Sequence, residues 1–312
     1  MRPTDRRRQV KRAHELFIDL ERICRRSSCG HIDHAAVAAG PTVHTRSFHG
    51  HDVDRAVDTY SLTKPVVTSL LGCALQDGYL ESIDTNVAEF LPAAHDHHPG
   101  VTLRHLLSMT VSIAGDGFLD IDRVMELESS WVDAILSLPA EGPPGIAFRY
   151  DNRTAHLTSA VLEAVLPEGL LEYAGRRLLG PLGCSGWTWP TDTEGIPYGF
   201  GHLQMSPLDL ARFGQLWLDG GRHGSIGLMD EGLVAAAWTP VNDGGAPEHR
   251  PYGLTWWCDV DANPPAWFAA GYAGQLLAVL PSLGTVVVIT GSEARLTDGV
   301  PGSYRLLREV LR

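Results

Sequence analysis

Apolar residues in the first stretch of the chain fall at Val10, Ala13, Leu16, Phe17, Leu20 and Ile23. That three-and-four spacing sets them on one helical face, with Ile18 the one apolar residue off it, and predicts an amphipathic first helix. After Gly30 two short segments, residues 34–39 and 42–48, are parted by Gly40-Pro41 and predict two strands joined by a turn. The pattern then turns helical. Val66, Leu70, Cys73 and Ala74 share a face, and similar runs occur around Leu103, over residues 155–165 and over 207–218. Strand patterning returns near the end, in residues 252–259, 267–272, 275–280 and 285–290, rich in aromatic and β-branched residues and separated by turn formers such as Pro281 and Gly284. Residues 305–311 predict a closing helix.

Strands at both ends with helices between them predict an α+β fold. An antiparallel sheet is expected from the N- and C-terminal segments, flanked by terminal helices, with a mostly helical region inserted. In residue terms, 1–60 and 223–312 would form a discontinuous sheet domain and 61–222 a helical one. No internal repeat or low-complexity tract interrupts this plan.

Charge narrows the function. The 312 residues carry 25 Lys plus Arg against 37 Asp plus Glu, a net charge of −12. Residues 1–26 hold nine cations and four acids, so the rest sums to −17. Nucleic-acid binding needs a basic face, and the only basic stretch is the start of the first helix. That stretch has no apolar signal-peptide core, and no run of 18 apolar residues exists; the best candidate, residues 276–289, is broken by Pro281, Ser282 and Gly284. The five cysteines, Cys24, Cys29, Cys73, Cys184 and Cys258, are odd in number and lack a C-x-x-C pair, as suits reduced thiols. A cytoplasmic protein with no nucleic-acid or membrane partner is expected, its oligomeric state unspecified.

Only Lys11 and Lys64 are lysines; the other 23 cations are arginines. Lys64 lies in Ser61-Leu62-Thr63-Lys64-Pro65, where a helix starting near Ser61 accommodates the proline. Ser61 and Lys64, three apart, share a face. The positive end of the helix dipole would favour an oxyanion there and lower the pKa of a nearby amine. A lysine can activate a serine because it can become neutral, which an arginine cannot. An N-capping serine followed by a solvated lysine would read the same way. Further along, Tyr150-Asp151-Asn152 is the only Tyr-x-Asn, placed after the turn Gly142-Pro143-Pro144-Gly145. A tyrosine near a lysine cation has its phenolate favoured and could exchange protons with a serine and a leaving group; a loop-anchoring tyrosine is the alternative.

Ser61-x-x-Lys64, Tyr150-x-Asn152 and Gly271-Tyr272-Ala273-Gly274-Gln275, in that order, resemble the serine hydrolase family of class C β-lactamases, related penicillin-binding proteins and esterases. The segments 103–110 and 205–214 and the paired terminal strands extend the resemblance over roughly residues 10–312. It implies that Ser61 is the nucleophile of an acyl-enzyme. Lys64 would be the general base or the group that activates Tyr150, and Tyr150 would act as base and as acid to the leaving group. Asn152 would bond Lys64 or a substrate carbonyl. Backbone N–H groups of Ser61 and Gln275 would form the oxyanion hole, and Tyr272, Ala273 and Gly274 would bind substrate. Where the lactamases begin the third motif with Lys or His, this alignment puts Tyr272, which brings no charge. With the acidic body, that points away from a β-lactam or D-Ala-D-Ala peptide and towards a small ester or amide.

Two other features bear on the chemistry. His95, Asp96, His97 and His98 lie in a proline-flanked loop without the three-or-four spacing of helical zinc ligands, so no metal or other cofactor is expected. Trp187, Trp189, Trp256 and Trp257 are candidates for an acyl pocket or for core, and in a strand only one of Trp256 and Trp257 can face the site. The leading expectation is serine-dependent hydrolysis. The alternatives are a transacylase passing the acyl group to an amine or alcohol, an inactive binding homologue, and a metal hydrolase using the His95 cluster.

Overall fold

The structure, a computed structural model, describes residues 3–117, 120–297 and 302–312. The first helix, α1 (Pro3–Cys24), begins seven residues before Val10, where the apolar stripe starts. Ala13, Leu16, Phe17, Leu20 and Ile23 are buried, and the helix packs on β1 (Ile32–Ala39). A turn leads to β2 (Thr42–Ser47). The short β3 (Val57–Asp58) follows; it pairs with β4 (Gln204–Met205), and β5 (Arg222–His223) pairs with β6 (Ile226–Gly227).

The remaining strands are β7 (Asn242–Gly245), β8 (Arg250–Tyr252), β9 (Trp257–Asp259), β10 (Ala266–Gly271), β11 (Gln275–Leu280) and β12 (Thr285–Gly291). They join β1 and β2 in one antiparallel sheet of order β2-β1-β12-β11-β10-β9-β8-β7. The two chain ends meet between its second and third strands, where Val37 stands opposite Val287. Both segments are runs of small and β-branched apolar residues, as a strand covered on both faces requires. All eight residues of β1 are buried.

Between the sheet halves run α2 (Thr63–Asp77), α3 (Ala94–His97), α4 (Leu103–Leu107), α5 (Asp120–Met125), α6 (Trp131–Leu136), α7 (Asn152–Val165), α8 (Leu170–Ala174) and α9 (Pro207–Leu218); α10 (Glu231–Ala237) and the closing α11 (Ser303–Val310) come later. Ser206 caps α9, accepting from the N–H of Asp209 at 3.1 Å, with Pro207 at the first position. This helix falls inside the span 61–222, yet it packs on β12, β11 and β1. Its buried face, including Leu210, Phe213 and Trp217, matches the sheet. α1 and α11 pack on each other and on the sheet. Among the described residues no helix is long and apolar enough to cross a membrane.

One expected strand is two. Residues 252–259 break into β8 and β9 at a turn where Thr255 adopts φ +62°. The turn is held because the Thr255 N–H donates to Leu107 O at 2.9 Å and its hydroxyl meets that of Thr68 at 2.7 Å. Tertiary bonds to α2 and the end of α4 outweigh the β propensity of the segment. β7, rich in Asn, Asp and Gly, has no apolar alternation to reveal it.

Candidate active site

The nucleophile candidate sits in a single 3-10 turn, Tyr60–Leu62, and α2 proper starts at Thr63. Tyr60 takes φ +45°, a left-handed conformation that only special positions tolerate. It is stabilised by Asp58, whose carboxylate accepts the Tyr60 N–H at 2.7 Å. The other oxygen of Asp58 bonds His202 Nδ1 at 2.7 Å, which raises the His202 pKa above the ordinary histidine value. Tyr60 also donates its hydroxyl to Glu293 at 3.0 Å and packs edge-on against His202 and Tyr272.

Lys64 is 2% exposed, and all three of its N–H donors are used. Nζ donates to Ser61 Oγ at 3.0 Å, Asn152 Oδ1 at 2.8 Å and Phe200 O at 2.8 Å. Burial disfavours the ammonium form and takes its pKa down to about 7, opposed by the negative charge of Asp151. The lowered value anticipated from a helix end is present, but desolvation is its main cause. Nζ also lies 4.8 Å from the centre of the Tyr150 ring.

The second motif reaches the site from the start of α7. Asp151 caps that helix, accepting from the Arg153 N–H at 2.8 Å. Its carboxylate is clamped by the wholly buried Arg153 guanidinium, with Nη2 at 2.8 Å, and Nη1 donates to Ala114 O. The capping loop passes so near Gly117 that a Cβ there would lie 2.2 Å from Asp151 Cγ, so only glycine fits. Tyr150 and Asn152 flank this clamp, which fixes both side chains at Lys64. The Tyr150 hydroxyl is hydrogen-bonded to Ser61, and its ring stacks on Trp257 at 5.9 Å. Burial pushes the Tyr150 phenol above its ordinary value, more than the Ser61 bond lowers it. The expectation of a favoured phenolate is therefore corrected: the group that can be neutral and basic near pH 7 is Lys64.

The third motif is displaced. Gln275 is 2% exposed, its backbone N–H donates to Tyr272 O, and its side-chain amide bonds both backbone groups of Gly291 at 2.9 and 3.2 Å. The Gln275 backbone N–H expected in the oxyanion hole is thus spent on Tyr272 O. The strand residue that meets Ser61 is Gly271, where a Cβ would lie 3.0 Å from Thr59 O and 3.2 Å from Ser61 N. Ala273 is buried, and Gly274 packs over His31. Neither reaches the cleft. Tyr272, 51% exposed, does line it, with Ala270 and Gly271. Ala-Ala-Gly and Tyr-Ala-Gly both end in Ala-Gly; the contact with Ser61 separates them.

The cleft above Ser61 measures about 620 Å³. Tyr150, Asn152, His202 and Tyr272 line it, and so do three carboxylates, Asp122, Glu248 and Glu293, which the motif reading did not reveal. They come from separate elements, so no local pattern links them. Of the tryptophans, Trp257 underlies Tyr150 while Trp256 packs on Trp217 in the core. Trp189 is also core, bonding Tyr198 O, and Trp187 packs against Gly175. His95 and Asp96 are solvated on α3 and His98 is turned inward; no group of three His, Cys, Asp or Glu among the described residues is placed to hold a metal.

Residues 34–311 match the family described as Beta-lactamase. The chain belongs to the beta-lactamase family. Among curated relatives it is 27% identical to penicillin-binding protein 4 of Amycolatopsis lactamdurans over 191 residues, 59% of this chain and 50% of that one. The chain thus spans half the length of this relative. Two solved structures share the beta-lactamase fold. One is a putative beta-lactamase from Bacteroides dorei, with TM-score 0.76, 23% identity, and 95% and 97% of the two chains covered. The other is EstCE1, described as a hydrolase with promiscuous acyltransferase activity, with TM-score 0.76, 17% identity, and 96% and 99% covered. At these identities the likeness is one of fold.

Proposed function

We propose that the protein is a serine-dependent acyl-transfer enzyme that hydrolyses a small ester or amide. The observation that carries this reading is the buried Lys64 amine, 3.0 Å from Ser61 Oγ, with its pKa lowered to about 7. Neutral Lys64 takes the Ser61 proton as Oγ bonds the acyl carbon. Tyr150, a neutral phenol, protonates the departing oxygen or nitrogen and regains its proton from Lys64. Water then attacks the acyl-enzyme, the Ser61 ester bond breaks, and Ser61 recovers a proton as the acid leaves. The Ser61 N–H and the Tyr272 N–H, the amide that follows Gly271, are assigned to the oxyanion hole.

With Gly271 as the motif glycine, the position expected to hold a cation is Ala269, an uncharged residue. Asp122, Glu248 and Glu293 make the cleft acidic, which supports a scissile region free of carboxylate over a β-lactam. Beside Tyr150 a hollow of about 400 Å³ is lined by Phe148, Ala246 and Pro247, suited to an apolar acyl or leaving group. A cytoplasmic location belongs to this proposal, supported by five free and buried cysteines. The assembled Ser61, Lys64, Tyr150 and Asn152 speak against a binding-only homologue.

The test is turnover of p-nitrophenyl butyrate by the wild type, Ser61→Ala and Lys64→Arg. Turnover lost in both variants is expected; full activity in Lys64→Arg contradicts the assigned base. Added amines that raise turnover and enter the product distinguish transacylation from hydrolysis.

A further inference from the structure

The cleft at Ser61 has a neighbour of opposite charge. Arg305, Arg308 and Arg312 follow one another at intervals of three and four, so they form a stripe along α11 and just beyond its end. Arg26, at the end of α1, and Arg250, on β8, face the same hollow of about 700 Å³. Five guanidinium groups line it against two carboxylates, Glu248 and Glu309, in a chain whose net charge is −12. Arg26 and the α11 arginines come from opposite ends of the chain, and their meeting follows from the packing of α1 on α11.

The protein's own acceptors use only part of this donor set. Arg26 pairs with Glu309 at 2.6 Å, and Arg305 reaches the same carboxylate only at 4.0 Å. Arg308 gives two N–H groups to Pro264 O and Asn263 O, and Arg250 gives one to His249 O at 2.8 Å and lies 3.6 Å from Asp259. A guanidinium carries five N–H donors in a planar fork that matches an oxyanion. Donors therefore exceed acceptors throughout the hollow.

Its position gives the hollow a role. Pro247 and Glu248 line both this hollow and the catalytic cleft, and Pro247 also lines the apolar hollow beside Tyr150. A ligand crossing that ridge would have its scissile bond at Ser61 and its far end among the arginines. We infer that the arginine-lined hollow binds an oxyanionic group, phosphate or carboxylate, at the end of the substrate remote from the scissile bond. This rests on the reading that Ser61 is acylated. The acidic cleft and the basic hollow then select one bipolar substrate shape: uncharged or cationic at the reacting carbonyl, anionic beyond the ridge.

The test compares matched pairs. Butyryl-CoA against S-butyryl-N-acetylcysteamine examines phosphate; the mono-p-nitrophenyl ester of glutaric acid against p-nitrophenyl butyrate examines carboxylate. For at least one pair the anionic member is expected to show the higher kcat/KM, with an advantage that shrinks as salt rises. Arg305→Glu combined with Arg312→Glu should reduce that advantage by about tenfold, since solvent-exposed charge pairs are individually weak, and leave the neutral members unchanged. The pair that responds names the oxyanion. Anionic members no better than neutral ones, an advantage that survives charge reversal, or an equal loss for both members would overturn the inference. Should neutral esters fail to acylate Ser61, the catalytic reading is what has failed. Calorimetry with CoA, inorganic pyrophosphate and glutarate then tests the hollow directly: binding of any of them weakened by the double variant supports it, and no binding or unchanged binding overturns it.

Discussion

Lys64 has a feature that local spacing could not supply: burial on every side. Its three acceptors come from the turn before α2, from α7 and from the segment at Phe200, so its desolvation is a tertiary fact. The sign of its effect on rate follows from the lowered pKa. Below about pH 7 the amine is protonated and cannot accept the Ser61 proton; above it, the neutral form dominates. kcat/KM for a neutral ester should therefore rise with pH through a single midpoint near 7. Tyr150, pushed upward by burial, should add no falling limb at moderately alkaline pH. Tyr150→Phe is expected to lower kcat by about 10²–10⁴-fold with little change in KM, the usual range for a positioned proton donor. At Gly271 even a methyl group would press on Thr59 O and Ser61 N, so Gly271→Ala should cost roughly a hundredfold in kcat while the fold survives. Steady-state kinetics and circular dichroism check both variants. That Ser61, Lys64, Tyr150 and Asn152 come together was legible because chain order and spacing carry them. The partner proposed for the oxyanion hole was not, because Ala-Gly recurs at 270–271 and 273–274 and only Gly271 approaches Ser61.

Elements position those residues through a few buried bonds. The cap of α7 is the clearest: Asp151 accepts from its own helix and from Arg153, and Tyr150 and Asn152 flank it. Replacing Arg153 by Met leaves the Asp151 carboxylate buried without its cation. The expected loss is about 3–5 kcal/mol, as for other broken buried pairs, read from the urea midpoint. Elements with strong periodicity were legible in sequence: α9 and β11 at both ends, and α1 at its C-terminal end, its polar start at Pro3 lying seven residues before the apolar stripe. The broken strand at Thr255 and the polar β7 were not, since hydrogen bonds to distant helices and a glycine-rich backbone decide them.

At the scale of the whole molecule, the sheet joins chain ends that are more than two hundred residues apart, and α1 seals it. Leu20 is fully buried at that seam. Leu20→Ala should lower stability by about 2–5 kcal/mol, the usual range for a large-to-small core change. The pH midpoint of the reaction should stay in place, because Lys64 keeps its surroundings; denaturant titration and a pH–rate profile test the two statements separately. The antiparallel plan was legible because each end carries strand patterning and the middle does not. Charge topography was not. A net charge of −12 concealed a five-arginine hollow, since its members lie after α1, on β8 and along α11, and only tertiary packing gathers them.

The central claim, that Ser61 forms the acyl-enzyme, is tested most directly by intact-protein mass spectrometry after treatment with a fluorophosphonate. One adduct per chain, mapped to the peptide containing Ser61 and missing from Ser61→Ala, is the result predicted. An unmodified wild type, or a Ser61→Ala protein labelled as readily as the wild type, would contradict it.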